Sequence, residues 1–484
     1  MNLRAPLLIA AVLLSGCDRR RDAGQIVVSA IGADLLVADS SRGRLDFPAR
    51  IMLDATAQGL VRFDAAGQIE PGIAERWIVI DDGMSYIFRL RDATWRDGKP
   101  VTAAQVVTVL RRQLAEGSRN PLLPFLSAID EIVEMTPEVI EVRLKRPRPD
   151  LLKLFAQPEL AIFRTRPPSG SGPLRIIGIT RGQAVLRAAP DLTRSPDEVE
   201  APAAEDDVRL IAERAARAIV RFGAGQSDLV SGGTVADWPS LAAADIPPAS
   251  RRIDPAAGLF GLIVSDRSGF LGEAAHRAAL AAAIDRGAVL EAFVPGWAPV
   301  TQLLPEQLDS ATAPVLPAWN GVAPAVRLGN AQRLVAAWKE GQAGALTLRL
   351  ALPAGPGGTI LYAKIGASLI ALGIRPLRVG PRDPADLRLI DAVAPYDSAR
   401  WYLATACAPC GDEAEAAIDA ARDAPDGASR AARLAEADAA LAADSAYIPL
   451  ARPLRWSLVA LRLRQWQGNA RAWHPLNHLR NDTN

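Results

Sequence analysis

Histidine and cysteine are scarce in this chain, three of each among 484 residues. That scarcity removes most of the donors a zinc or other soft-metal centre needs. An excess of one charge is missing as well: 55 Lys+Arg stand against 54 Asp+Glu, a formal net charge of +1. A chain that holds nucleic acid through its phosphates carries a clear basic excess, so no nucleic-acid partner is expected. The usual catalytic markers are also missing. There is no G-x-S-x-G, no G-x-x-x-x-G-K-[ST] and no H-E-x-x-H, the patterns that place a nucleophile, a phosphate cradle or a hydrolytic zinc. Gly223 and Gly225 begin a G-x-G, but Asp228 stands where a dinucleotide turn needs its third glycine. His474 and His478 have i, i+4 spacing with Pro475 between them and no acidic helix partner, and His276 stands alone. All three read as packing or surface residues, and no metal, cofactor or catalytic residue is expected.

What is present is a chain that buries a full core. Hydrophobic residues make up 49% and charged residues 23%, and the length allows about two to four structural units. Arg4 precedes an apolar run from Ala5 to Leu14, long enough for a signal-peptide core and too short to cross a bilayer. No later run is long and apolar enough to span. The run ends in Leu14-Ser15-Gly16-Cys17, which resembles the bacterial lipobox and implies that Cys17 is lipidated after cleavage; an ordinary signal peptide is the alternative. Asp18 follows, and the resemblance to bacterial lipoproteins implies retention at the inner membrane with residues 18–24 as a tether. An exported location changes the reading of Cys407-Ala408-Pro409-Cys410. A disulfide is favoured there, with inert thiols, a redox pair and half a zinc site as alternatives.

The rest of the chain reads as mixed α/β. Gln25 to Ile31 is a strand, and Trp77 to Leu90, turning at Asp81-Asp82-Gly83, is a hairpin with one buried face. Thr102 and Gln105 form a capping box, so a helix starts at Ala103. Ile132 to Leu144 is a second hairpin, after which Asp150 caps a short helix, Leu151 to Phe155. A strand is expected around Ala218 to Arg221. Gly258 to Val264 reads as a strand buried on both faces. Ala274 to Phe293 is helical with a break near Arg286-Gly287. Leu346 to Leu352 is a strand, Ile360 to Leu372 a helix, and two more helices flank Pro425-Asp426-Gly427. Trp77, Tyr86, Phe88 and Trp95 read as core anchors.

Several stretches carry a resemblance. Gly59-Leu60-Val61-Arg62-Phe63-Asp64, Ile69 to Gly72 and Ala74 to Trp77 open it; Asp82-Gly83, Phe88 to Arg91, Trp95, Asp97 to Ala103 and Val106 continue it in order. Gly170 to Leu174, Arg221-Phe222 with Asp228 to Val230, Arg277 to Arg286 and Ile448-Pro449-Leu450 extend it along most of the chain. Together they resemble the extracytoplasmic solute-binding proteins of family 5, the peptide/nickel/opine-binding class of ABC importers.

The resemblance implies an α/β, two-lobed clamp like the type II periplasmic binding proteins, with an extra subdomain inserted in the first lobe. Lobe I is expected over 25–257, with 47–173 as the insert, lobe II over 258–456, and a return to lobe I over 457–484. The expected partners are a peptide or peptide-like ligand, an ABC permease with its ATPase, and the membrane through the lipid anchor, on the periplasmic side of the inner membrane and as a monomer. Candidate ligand residues are Gly32, Ala33 and Asp34 at the first strand's end and Ser231, Gly232, Gly233 and Thr234 in a second loop, for which an ordinary turn is the alternative. In the second lobe, Asp397, Trp401 and Tyr402 fall where peptide-binding relatives place an aspartate for the ligand's α-amino group and aromatics around it. One departure stands out. Dipeptide-binding relatives carry a carboxylate-holding arginine just after the strand corresponding to Leu346 to Leu352, where this chain has Pro353-Ala354-Gly355-Pro356-Gly357. A sensor or chaperone that keeps the clamp without transport, and an exported hydrolase, are the competing functions.

Overall fold

Buried apolar strands fix two sheets, and the chain passes between them twice. The computed structural model describes residues 24–480, apart from 36, 166–167, 191–203, 307 and 343. The leader and Cys17 lie outside the described residues. The first sheet runs in the order Leu174–Thr180, Gln183–Ala188, Val208–Glu213, Ile26–Ile31, Leu229–Gly233, Trp456–Val459, Arg251–Ile253. Its centre is parallel: Ile26–Ile31 pairs in parallel with both Val208–Glu213 and Leu229–Gly233. The second sheet has the order Arg375–Val379, Thr347–Ala351, Leu387–Val393, Gly258–Val264, Tyr447–Ala451. Every residue of Gly258–Val264 is buried, as expected for a central strand covered on both faces.

The crossings lie between Ile253 and Gly258 and between Ala451 and Trp456. Trp456 was expected to close the second lobe, but it pairs with Gly233 and Ile253 in the first sheet. Its indole packs on Gly233 and donates from Nε1 to the Thr234 carbonyl at 2.9 Å, and this pairing pulls the boundary back to the preceding loop.

A four-stranded antiparallel sheet, ordered Ala74–Ile80, Ser85–Leu90, Val139–Leu144, Ile129–Thr136, forms the insert. Tyr86, Phe88 and Trp95 are buried beneath it, whereas Trp77 is half-buried. The helix Ala103–Leu114 starts at Thr102 with its capping box. Gln105 Oε1 accepts from the Thr102 amide at 3.3 Å and from Trp95 Nε1 at 2.7 Å. One side chain thus ties the helix start to the hairpin core. Gln105→Ala is expected to cost about 1 kcal/mol, read as a lower urea midpoint at unchanged m-value.

Two local expectations are corrected. Ala218 to Arg221 is helical, within Ala215–Gly223, because Ala215, Ala218, Ile219 and Phe222 recur at i, i+3, i+4 and i+7 and are the buried positions. Asp150 stands at the start of Leu151–Phe155 but makes no side-chain cap bond. The break in Ala274 to Phe293 falls at Ile284-Asp285, where Asp285 accepts from the Ala288 amide and starts Arg286–Leu290.

Candidate ligand-binding site between the lobes

The segment Ala394 to Ser398 leaves the strand Leu387–Val393 and runs along the junction with the first lobe. Its backbone is held from the other side: Gln157 Nε2 donates to the Pro395 carbonyl and Arg471 Nη1 to the Ala394 carbonyl, both at 2.8 Å. Ser398 caps the helix Ala399–Ala406, accepting from the Arg400 amide. It is fixed by Asp309, which also accepts from the Ala399 amide at 2.7 Å.

Asp397 is paired within the protein. One carboxylate oxygen meets Lys153 Nζ from the inserted subdomain, and the other meets Arg471 Nη2 from the C-terminal return. Burial pushes the Asp397 carboxyl up, but the hydrogen bonds and charges of Lys153 and Arg471 together outweigh it and hold the group below its ordinary value. The carboxylate is still 43% exposed while Arg471 is 6% exposed, so solvent and an incoming cation reach it from one side. A cation arriving there would compete with Lys153 for the carboxylate.

Trp401 and Tyr402 follow on the helix Ala399–Ala406 and are buried, with rings 5.0 Å apart in an edge-to-face pair. Arg452 lies 5.7 Å over the Tyr402 ring. Burial pushes the Tyr402 hydroxyl up to about 12, so it stays a neutral hydrogen-bonding group at any physiological pH. Of the three, Asp397 is the one facing solvent.

The first-lobe candidates share one edge. Because Ile26–Ile31 and Leu229–Gly233 are parallel neighbours, Gly32 to Asp34 and Ser231 to Thr234 stand at the carboxyl ends of adjacent strands, the usual place for a crevice. Several of these residues also serve packing. A side chain on Gly32 would strike Pro48, and one on Gly232, at φ +91°, would strike the Phe47 ring. Ser231 is buried, Ala33 and Asp34 are exposed, and the Thr234 carbonyl is taken by Trp456. Among the described residues no hydrogen bond joins these segments to Asp397.

The loop Pro353 to Gly357 reaches the first lobe by backbone. Gly357 N–H donates to the Ala236 carbonyl at 2.9 Å, and a Cβ there would stand 2.0 Å from the Val235 oxygen. Close approach requires glycine at this point. A shallow, open groove on the first lobe is lined by Thr56, Arg96, Ser169 and Arg175, among others. Cys407 and Cys410 are joined as a disulfide, Cα atoms 4.7 Å apart. His474 meets Asp254, His478 meets Glu70 and His276 meets the Phe270 carbonyl.

Lys153, Gln157 and Arg471 were not singled out from the sequence. Their partners lie 244, 238 and 74 residues away, and only the folded topology brings them together.

Comparison with known proteins fits this architecture. The probable deoxycholate-binding periplasmic protein YgiS of Escherichia coli K12 is 40% identical over 80 residues, 16% of this chain and 15% of that protein. The oligopeptide-binding protein OppA of Haemophilus influenzae is 36% identical over 89 residues, 16% of its length. The chain therefore matches these curated relatives over much less than two thirds of their length. In three dimensions it overlays on Haemophilus influenzae OppA in complex with RPPGFSPFR with a TM-score of 0.79 at 17% identity, covering 95% of this chain and 99% of that one. The Escherichia coli murein tripeptide binding protein MppA gives 0.77 at 17% identity, covering 93% and 97%. At such identities the likeness is one of fold, a two-lobed α/β clamp. The description "bacterial extracellular solute-binding proteins, family 5" matches residues 68–344, more than half of the chain, and the chain belongs to that family.

Proposed function

We propose that the protein is a lipid-anchored receptor that takes a peptide or peptide-like solute between its lobes and presents it to an ABC permease. The observation that carries this reading is the polar junction at Ala394 to Ser398, where side chains of the first lobe grip second-lobe backbone and Asp397. A ligand that contacts both lobes there shifts the clamp toward its closed form, since only differential affinity for that form moves the population. The reading is supported by OppA of Haemophilus influenzae, solved with a peptide. In this function Cys17 carries the anchor and holds the receptor at the periplasmic face of the inner membrane, the disulfide between Cys407 and Cys410 closes a short loop after the helix that bears Trp401 and Tyr402, and no chemistry by the chain is required.

The test is native mass spectrometry of protein beginning after Cys17, purified without denaturation and then mildly unfolded. A discrete set of co-purifying peptides is the expected result. An empty protein, with no thermal shift across peptide, opine and metal–chelate panels, would overturn the reading in favour of a sensor or chaperone.

A further inference from the structure

Cations outnumber their counter-ions where the inserted subdomain meets the second lobe. Arg146 and Arg148 follow the strand Val139–Leu144, while Arg400, Arg422 and Arg430 lie on the helices Ala399–Ala406, Asp412–Asp423 and Gly427–Asp444. Three of the five are neutralised locally. Arg430 pairs with Asp309 at 3.0 Å, Arg422 with Asp419 and Asp423 at 2.7 Å each, and Arg146 with Asp423 at 3.2 Å.

Arg148 and Arg400 are different. Each is 4% exposed, and among the described residues neither has a carboxylate within 4.0 Å. Arg148 Nη2 donates to the Phe125 carbonyl at 2.9 Å, and its guanidinium lies 5.7 Å over the Tyr396 ring. Arg400 Nη2 donates to the Pro124 carbonyl at 3.2 Å, and its guanidinium lies 5.5 Å over the Phe125 ring. Phe125 and Tyr396 themselves pack edge to face at 5.7 Å. One guanidinium from each lobe therefore flanks the same aromatic pair. Arg148 Nε and both Nε and Nη1 of Arg400 are buried with no acceptor.

Asp150 is within electrostatic reach of Arg148, Lys153 and Arg430. Among the described residues it makes no ion pair, and burial, then the nearby Asp309, push it up to about 6. Burial foremost, and also the neighbouring Arg148 and Arg430, pull the Arg400 guanidinium down to about 10. Unsatisfied donors on buried like charges oppose the meeting of the lobes at this point. An oxyanion that reached both guanidiniums would accept those donors and offset the repulsion, and the planar fork of arginine suits carboxylate and phosphate.

We infer that Arg148 and Arg400 bind an oxyanion across the lobe junction, so that the receptor favours solutes bearing a carboxylate beyond the peptide backbone. The ligand class rests on the receptor reading above.

The test uses the full chain in detergent, with the tripeptides Ala-Glu-Ala and Ala-Gln-Ala as probes that differ by one carboxylate, and inorganic phosphate as a free oxyanion. Calorimetry is expected to show Ala-Glu-Ala binding roughly tenfold tighter than Ala-Gln-Ala. In Arg400→Gln that ratio is expected to fall close to one. Arg148→Gln, on the opposite lobe, gives the same answer should Arg400→Gln fail to fold. Equal affinities in the wild type, or a preference that survives both substitutions, would overturn the inference and leave the receptor reading intact. If neither tripeptide binds, the short-peptide form of the receptor reading fails and phosphate decides. A phosphate-dependent rise in melting temperature that Arg400→Gln abolishes supports the anion site, and no rise overturns it.

Discussion

Asp444→Asn is expected to lower stability by about 3–5 kcal/mol, the scale for removing one partner of a buried ion pair. Arg277 is 1% exposed on the helix Ala274–Ala283. Its Nη2 donates to Asp444 Oδ1 and to the Asp444 carbonyl, both at 2.7 Å; Nε donates to the same carbonyl, and Nη1 to the Leu271 and Gly272 carbonyls. Arg267 forks onto the two carboxylate oxygens at 2.7 and 2.6 Å, and the Gly411 amide adds a bond at 3.1 Å. Two cations thus depend on one anion. Asp444 ends the helix Gly427–Asp444, where a negative charge opposes the helix dipole, so its local preference is unfavourable and the arginines compensate. The amide of Asn keeps the shape and one acceptor but leaves both guanidiniums without a counter-charge.

The same carboxylate sets a pH dependence. Burial raises the Asp444 carboxyl, but the bonds from Arg267 and Gly411 and the charge of Arg277 prevail, and it sits below its ordinary 3.8. A depressed folded value means that the stabilisation is fully present above the unfolded value and is lost as pH falls through the folded one. Urea midpoints of the wild type and Asp444→Asn should therefore differ most near neutrality, with the difference starting to shrink only as pH falls to about 4 and closing below the folded value. A difference under about 1 kcal/mol at pH 7 would mean that water or another acceptor satisfies Arg277.

How much of this was legible in the sequence depends on the range of the interaction. The capping box at Thr102 and Gln105, the hairpin turning at Asp81 to Gly83, and the apolar run Gly258–Val264 are local patterns, and the structure has each where the pattern puts it. Ala215–Gly223 was misread because its apolar residues include two alanines, whose weak hydrophobic signal hid the helical period. Trp456 was misplaced because a tryptophan next to a crossing carries no mark of which sheet it joins. The site shows the same limit more sharply. Asp397 stood out through family likeness, but Lys153 and Arg471 are unremarkable in sequence, and nothing local distinguishes them from the other cations. Arg148 lies between two prolines, and nothing in that local pattern signals that its charge is buried against Tyr396.

Asp397→Ala is expected to open the clamp. Lys153 and Arg471 both come from the first lobe, so the substitution removes contacts made only when the lobes meet. The Lys153 arm is partly exposed and contributes about 0–1 kcal/mol. The Arg471 arm is buried and charge-assisted, worth about 1.5–3 kcal/mol, although the exposed face of Asp397 keeps the sum near about 2. That moves the open-closed balance by roughly 30-fold, and small-angle scattering of ligand-free protein should report a larger radius of gyration. An unchanged radius would show that the other contacts across the junction, among them Gln157 to Pro395, Arg471 to Ala394 and Arg400 to Pro124, suffice to hold it. Lys153→Met separates the two roles open to Asp397. If the carboxylate receives a ligand ammonium, removing the internal competitor tightens binding of peptides with a free amine by roughly tenfold over their N-acetylated forms. If Asp397 is only a latch, both forms of peptide weaken together, because what Lys153→Met then removes is part of the closed state and nothing that a ligand replaces.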